Sequence, residues 1–350
     1  MMRILITGNM GYIGPVLAQH LRNRFPDAYL VGVDRGWFAS CLSDPSILPE
    51  IVLDEQWFRD VRDLTAEDLK GFDAVVALAA ISNDAMGKRF ELVTDEINCK
   101  AVLSTAKAAA EAGVDRFVFA SSCSIYGAAA DGQPRTESSQ VAPLTAYAHS
   151  KIDTEKGLAQ LEGDMTVTAL RFATACGASP RLRLDLVLND FVAGAVASNT
   201  VDVLSDGTPW RPLIHVRDMC RAIEWAIVRD KDATGGNFLK VNAGSERWNV
   251  QVRDLANAVG KAIPSAKVTI ATDPPADNRS YRVDFSLFEK LAPDHQPLET
   301  LEGTIAELRD NFIKAGFNDA NFRQSNFIRL KILNGLCDEG ILAPDLRLAA

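Results

Sequence analysis

The stretch Ile4-Leu5-Ile6-Thr7-Gly8-Asn9-Met10-Gly11-Tyr12-Ile13-Gly14 decides how this chain folds. A short apolar run leads into a turn with glycines at every third position. Residues 13–24 then repeat apolar side chains at helical spacing. In such a strand–turn–helix unit each glycine has its own task. Gly8 permits the tight turn, Gly11 lets the backbone approach a pyrophosphate, and Gly14 lets helix and strand pack closely. The helix start at Tyr12 and Ile13 offers N–H donors and the positive end of a dipole to an anion. The stretch therefore reads as a dinucleotide-binding turn.

Outward from this turn the same alternation continues. Residues 30–33 form a second apolar run that ends in Asp34, twenty residues after Gly14. A carboxylate there accepts from both adenosine ribose hydroxyls and repels a 2′-phosphate, which favours NAD. Arg35 can pair with a 2′-phosphate, which keeps NADP as an alternative. Asp60 and Val61 are the expected adenine contacts. Residues 74–79 and 117–121 are the third and fourth apolar runs, and 95–112 is an Ala-rich helical segment between them. Short buried strands alternating with helices imply βαβ units in a parallel sheet covered on both faces, with right-handed crossovers.

The second half is less regular. Residues 178–185 are Pro/Arg-rich. Helices are expected at 186–198, 218–229, 250–262 and 301–316, and strands at 201–204, 213–216 and 267–271. The expected fold is α/β, a Rossmann-type doubly wound parallel sheet with a smaller C-terminal substrate-binding α/β domain. The first domain spans 1–175 and the chain returns to it around 213–229. Residues 176–350 belong mainly to the second domain, with a helical tail after 318.

Bulk properties narrow the function. A length of 350 residues fits about two domains. The net charge of −9 argues against non-specific partnership with nucleic acid or an anionic membrane. The longest apolar runs, 74–81 and 191–197, are far shorter than the roughly 18 residues of a membrane span. The apolar stretch at the N-terminus is too short for a signal peptide and reads as a strand. Six scattered cysteines without a C-x-x-C pair suggest neither a zinc site nor a disulfide framework, and fit a reducing cytoplasm. No metal is expected.

The catalytic candidates lie behind the glycine turn. Tyr147 and Lys151, four residues apart, share one helical face. A nearby ammonium stabilises a phenolate, so a phenol can serve as a general acid-base near neutral pH. Ser122, twenty-five residues earlier, stands at the end of the fourth strand, where its hydroxyl can bond to a reacting oxygen. His149 reads as an ordinary helix residue. Arg211 and Arg279 are fork donors suited to phosphate. The arginines in 179–183 are further candidates for base or phosphate contacts.

With Ser122, Tyr147 and Lys151 in this order behind the glycine turn, the sequence resembles the extended short-chain dehydrogenase/reductases. Within them it is similar to the nucleotide-sugar epimerase/dehydratase group of UDP-glucose 4-epimerase-like enzymes. The resemblance covers about residues 2–300. It implies that Leu78, Ala79 and Ala80 pass the nicotinamide ribose, although the usual histidine just before them is Ala77. It implies that Asn98 supports the site from a helix. Arg211 and Arg279 fall in segments where the family binds the nucleotide diphosphate.

The implied chemistry is hydride transfer between C4 of a sugar and the nicotinamide. Tyr147 takes the hydroxyl proton, Ser122 places that oxygen, and Lys151 tunes Tyr147 and holds the ribose. Dehydratases of the group carry acidic residues just after the catalytic Ser/Thr, where this chain has Cys123 and Ser124. That disfavours a 4,6-dehydratase. Cys123 is one residue short of the cysteine used by fucose-synthase-like enzymes, and reads either as a reactive thiol or as a packing residue. Ser82 stands where the group usually has a lysine, and Asn83 and Thr174 are expected along the sugar pocket.

The expected function is an NAD-dependent nucleotide-sugar epimerase, with an NAD(P)H-dependent 4-keto-sugar reductase as the alternative. A non-catalytic dinucleotide-binding regulator and a steroid- or flavonoid-type reductase rank lower. Retention of the triad opposes the first, and the Arg211/Arg279 pair opposes the second. The resemblance also implies a homodimer through a four-helix bundle of the 95–112 and catalytic helices.

Overall fold

The computed structural model describes residues 1–128, 132–272 and 280–349. Its strands are β1 (Arg3–Thr7), β2 (Tyr29–Val33), β3 (Glu55–Trp57), β4 (Ala74–Ala77), β5 (Arg116–Ser122) and β6 (Thr166–Phe172) in the first half. β7 (Thr174–Cys176), β8 (Thr200–Val203), β9 (Trp210–His215), β10 (Phe238–Ala243), β11 (Asn249–Gln251) and β12 (Lys267–Ile270) follow. Seven of them form one sheet in the order β10-β6-β5-β4-β1-β2-β3, with every neighbouring pair parallel. The order reverses at β1, as in a doubly wound Rossmann sheet.

The sheet's sequence pattern follows from burial on both faces. Ile4 and Ile6 pack on one face with Leu17 and Leu21 of helix Gly14–Arg24 and Ile223 of helix Val216–Val228. Leu5, Val31 and Val33 pack on the other with Ala106 and Ala109 of helix Val102–Glu111 and with Leu158. Strands enclosed this way read as continuous apolar runs. β3, short and at the edge, and β6 and β10 carry polar residues in register, so alternation alone does not reveal them.

The helix expected at 95–112 is not uniform. It comprises Glu91–Asp95, a π-helical turn Glu96–Ala101 and Val102–Glu111. Such a turn widens the helix by one residue and often marks a working site. Asn98 lies in it.

A second lobe has its own core. Helices Val187–Ser198, Val252–Ala262 and Leu301–Lys314 enclose Leu188, Phe191, Leu255, Leu308 and Phe312. Two small sheets, β11-β9-β7 and β12-β8, complete it.

The tail crosses from one lobe to the other. Phe322 is fully buried in the second lobe's core. Helix Arg329–Asp338 then places Leu333, with Leu342 and Leu346 beyond it, against Ile81, Met86, Phe90, Val93 and Ile97 of the first lobe. Arg62 donates to the Asp345 carbonyl (2.9 Å), and Arg347 pairs with Asp63 at 2.9 Å. Among the described residues no helix is long and apolar enough to cross a membrane, and no cluster of potential metal ligands occurs.

Candidate active site

The glycine turn forms one wall of a cavity of about 1120 Å³ between the lobes. Gly8 has φ +73°, and a Cβ on it would stand 2.5 Å from the Ala79 nitrogen. The turn and the loop after β4 are therefore in backbone contact, which only glycine allows. A Cβ on Gly14 would meet the Asn9 carbonyl at 2.2 Å, so here the third glycine lets the helix fold back on the turn itself. Gly8, Gly11, Tyr12 and Ile13 line the cavity.

Asp34 continues the same wall. Its carboxylate accepts from the N–H groups of Met10 (3.1 Å) and Gly36 (2.7 Å), which ties the end of β2 to the turn. Burial pushes its pKa up, against the pull of those two donors. Arg35, Val61, Leu78, Ala79 and Ala80 also line the cavity. Glycine turn, ribose-side carboxylate and open helix start together fit a dinucleotide.

The catalytic candidates meet deeper in the cavity. β5 ends at Ser122, whose hydroxyl accepts from the Ser124 N–H (3.1 Å); Ser122 and Tyr147 both line the cavity. Thr145 caps helix Ala146–Leu158 by accepting from the Ala148 N–H, so Tyr147 and Lys151 lie one turn apart on its inner face. Burial pushes the phenol's pKa up, while the nearby Ser122 hydroxyl and the Arg183 charge pull it down. Lys151 is 3% exposed and donates to the Ala120 carbonyl (2.6 Å), with Nζ 5.4 Å from the centre of the Tyr147 ring. Burial pushes its pKa down to about 7.

The sugar-side candidates are partly assembled. Ser82, Asn83, Ser124, Thr174 and Arg211 line the cavity. The buried Ser124 hydroxyl has no partner among the described residues. Asn83 caps helix Asp84–Arg89 through its oxygen and donates to Asp185 (2.5 Å). Arg211 donates to the Trp210 carbonyl (2.9 Å). Arg279 lies outside the described residues.

Three expected contacts are placed differently. Cys123 is fully buried off the cavity, and its thiol donates to the Arg171 carbonyl (3.1 Å). Burial drives its pKa far up, so it is a neutral packing group. Asp60 is held by Arg62, which donates to both its oxygens (2.9 and 2.7 Å), so it orders the loop that presents Val61. Asn98 also stays behind the wall. It accepts from the Ile81 N–H (2.8 Å) and donates to the Ile81 carbonyl (3.0 Å) and to the Ser150 hydroxyl (3.2 Å). It thereby couples the loop after β4 to the catalytic helix.

Of the arginines in 179–183, left open by the sequence, Arg183 lines the cavity. Arg183 pairs with Asp185 through two bonds of 2.9 Å and donates to the Ser82 hydroxyl (3.0 Å). Burial works to raise the Asp185 carboxyl, but Arg183 and Asn83 outweigh it and hold its pKa below the ordinary value. The signal was the charge pattern Arg181-Leu182-Arg183-Leu184-Asp185 inside a buried segment. Trp37, Phe38, Ile328 and Arg329 line the cavity with no local pattern to mark them.

The profile of the NAD dependent epimerase/dehydratase family matches residues 4–244. The low-salt glycan biosynthesis protein Agl12 of Haloferax volcanii is 25% identical over 289 residues, covering 81% of this chain and 90% of that protein. A UDP-glucose 4-epimerase of Azospirillum brasilense is 26% identical over 299 residues, covering 79% and 82%. Among solved structures, MoeE5 in complex with UDP-glucose and NAD superposes with a TM-score of 0.73 at 26% identity, over 89% of this chain and 99% of that one. A profile match spanning the glycine turn, Ser122, Tyr147, Lys151 and β10 makes this chain a member of the NAD dependent epimerase/dehydratase family.

Proposed function

We propose that this protein is an NAD-dependent nucleotide-sugar epimerase that acts by transient oxidation at C4 of the sugar. Ser122, Tyr147 and Lys151, brought together in the wall of the cavity that contains the glycine turn, carry this reading. NAD supplies a reversible hydride acceptor. Tyr147 takes the C4 hydroxyl proton as the C4–H bond breaks and the carbonyl forms, and Ser122 holds that oxygen. Once the 4-keto sugar has turned over in the cavity, Tyr147 returns its proton to the C4 oxygen as the hydride is restored from bound NAD, so that inversion leaves no net redox change. Lys151 places its charge beside the Tyr147 ring and binds the ribose.

Ser124 and the Arg183–Asp185–Asn83 group serve as sugar contacts, and Arg211 and Arg279 as diphosphate ligands. With the Cys123 thiol withdrawn into the core and a hydroxyl at Ser124, a 4,6-dehydratase is poorly served. We place the protein in the cytoplasm. A homodimer through the 95–112 and catalytic helices would join faces bearing exposed Lys100, Lys107, Asp153 and Lys156, so that contact would be polar.

The test is turnover without added cofactor. Purified protein mixed with a panel of nucleotide sugars should yield the 4-epimer, read by NMR. Tyr147→Phe should lower the rate by about 10²–10⁴-fold while bound NAD is retained. Product formed only from a 4-keto sugar with added NAD(P)H would replace the epimerase reading by the reductase.

A further inference from the structure

Arg329 is 1% exposed, yet its Nη1 has no hydrogen-bond partner among the described residues. Its other terminal nitrogen donates to the Arg181 carbonyl (3.0 Å), and its guanidinium carbon lies 4.6 Å over the Phe38 ring. Burial pushes its pKa down to about 10. A buried cation without a full set of partners is strongly unfavourable unless something else completes it.

The backbone at the same place is also open. Arg329 is the first residue of the ten-residue helix Arg329–Asp338, whose N-cap, Ile328, has no side chain that can accept from the first turn. Both Ile328 and Arg329 line the cavity. An uncapped helix start and a guanidinium with one unsatisfied nitrogen thus both belong to the cavity wall, and each favours an anion. A third orphan donor, the buried indole N–H of Trp37, lines the same cavity next to Phe38.

We propose that Arg329 and the start of the last helix form an anion site in the cavity wall, filled by the diphosphate of a bound nucleotide. Two sources share that chemistry, the dinucleotide and a nucleotide sugar. The connections favour the dinucleotide. Arg329 donates to the Arg181 carbonyl, the Arg181 N–H donates to the Ser179 hydroxyl (3.2 Å), and that hydroxyl donates to the Tyr12 carbonyl (2.7 Å). This chain ends one residue after Gly11, where the pyrophosphate is expected. Phe38, under the guanidinium, follows Asp34 by four residues. The tail therefore supplies a clamp on the cofactor opposite the glycine turn. The proposal rests on the cavity being a nucleotide site and not on which reaction it catalyses.

Calorimetric titration of the full-length protein tests it with ADP-ribose, adenosine, UDP and uridine, comparing wild type with Arg329→Gln and Arg329→Lys. Loss of one charge-assisted fork should weaken ADP-ribose binding by about ten- to a hundredfold in Arg329→Gln. Adenosine binding should stay unchanged, and NAD carried through purification should fall. A loss confined to UDP would keep the anion site and assign it to the nucleotide sugar. Equal losses for ADP-ribose and adenosine would overturn the proposal, as would unchanged binding of ADP-ribose and UDP. Should Arg329→Gln fail to fold, Arg329→Lys decides, because a folded lysine variant that binds both diphosphates like wild type at low and high salt overturns it too. A wild type that binds neither diphosphate refutes the cavity as a nucleotide site, a different failure.

Discussion

The glycine turn and the C-terminal tail form opposing parts of one cavity by opposite means. The turn works through main chain. Gly8 sits at a positive φ in backbone contact with Ala79, so its shape is set within a few residues. The tail works through side chains that find partners across the whole sequence, such as Leu333 in one cluster with Ile97, Arg329 on Arg181 and Arg347 on Asp63. Local backbone geometry tolerates almost no substitution, whereas distributed packing loses stability in graded steps.

The sharpest way to break this contrast is Gly8→Val. The left-handed backbone alone costs about 1–2 kcal/mol, and the Ala79 backbone must also move. The variant should lose bound NAD altogether, measured by absorbance of the denatured extract. Retention of NAD would show that the turn is more plastic than its contacts imply. Leu333→Ala comes next. Removing this fully buried side chain should cost about 2–5 kcal/mol, localised to the tail. Limited proteolysis should cut residues 318–349 before the sheet melts; cutting at the wild-type rate would contradict the packing account.

A buried cation sharpens the comparison further. Lys151 donates to Ala120, yet its pKa falls from the ordinary lysine value to about 7 on folding. The unfolded chain therefore binds more protons between about pH 7 and 10, and this group makes stability rise with pH across that window. Below pH 7 the full cost of burying the ammonium is present. Lys151→Met should accordingly raise the thermal midpoint of the ligand-free protein more at pH 6 than at pH 9, while activity is lost. A gain that grows with pH would contradict the assigned shift. The smallest effect belongs to Arg347→Ala, which removes an exposed pair with Asp63 and should change stability by less than about 1 kcal/mol in urea melts.

The same contrast explains what could be read from the sequence. The glycine turn, Asp34 and the Ser122–Tyr147–Lys151 set were legible because each is local, a spacing along one strand end or one helix face. Cys123 was ambiguous, since a loop cysteine looks the same whether it faces a cavity or, as here, the Arg171 carbonyl. The π-helical turn at Asn98 was hidden because its residues have ordinary helical composition. The Asn83–Asp185 bond and the Arg329–Arg181 bond join residues 102 and 148 positions apart, and periodicity carries no information over such distances. Arg279 was read only from the sequence.

The position of the tail also orders the events of synthesis. The chain is made from its N-terminus, so sheet, glycine turn and Tyr147 can fold while residues 322–349 are still to come. Until they arrive, Ile81, Met86, Phe90, Val93 and Ile97 lack the leucines that cover them. A chain interrupted at about residue 316 would carry the candidate catalytic groups together with an uncovered apolar patch, a state prone to self-association. Docking of helix Arg329–Asp338 thus both hides that patch and closes part of the cavity wall.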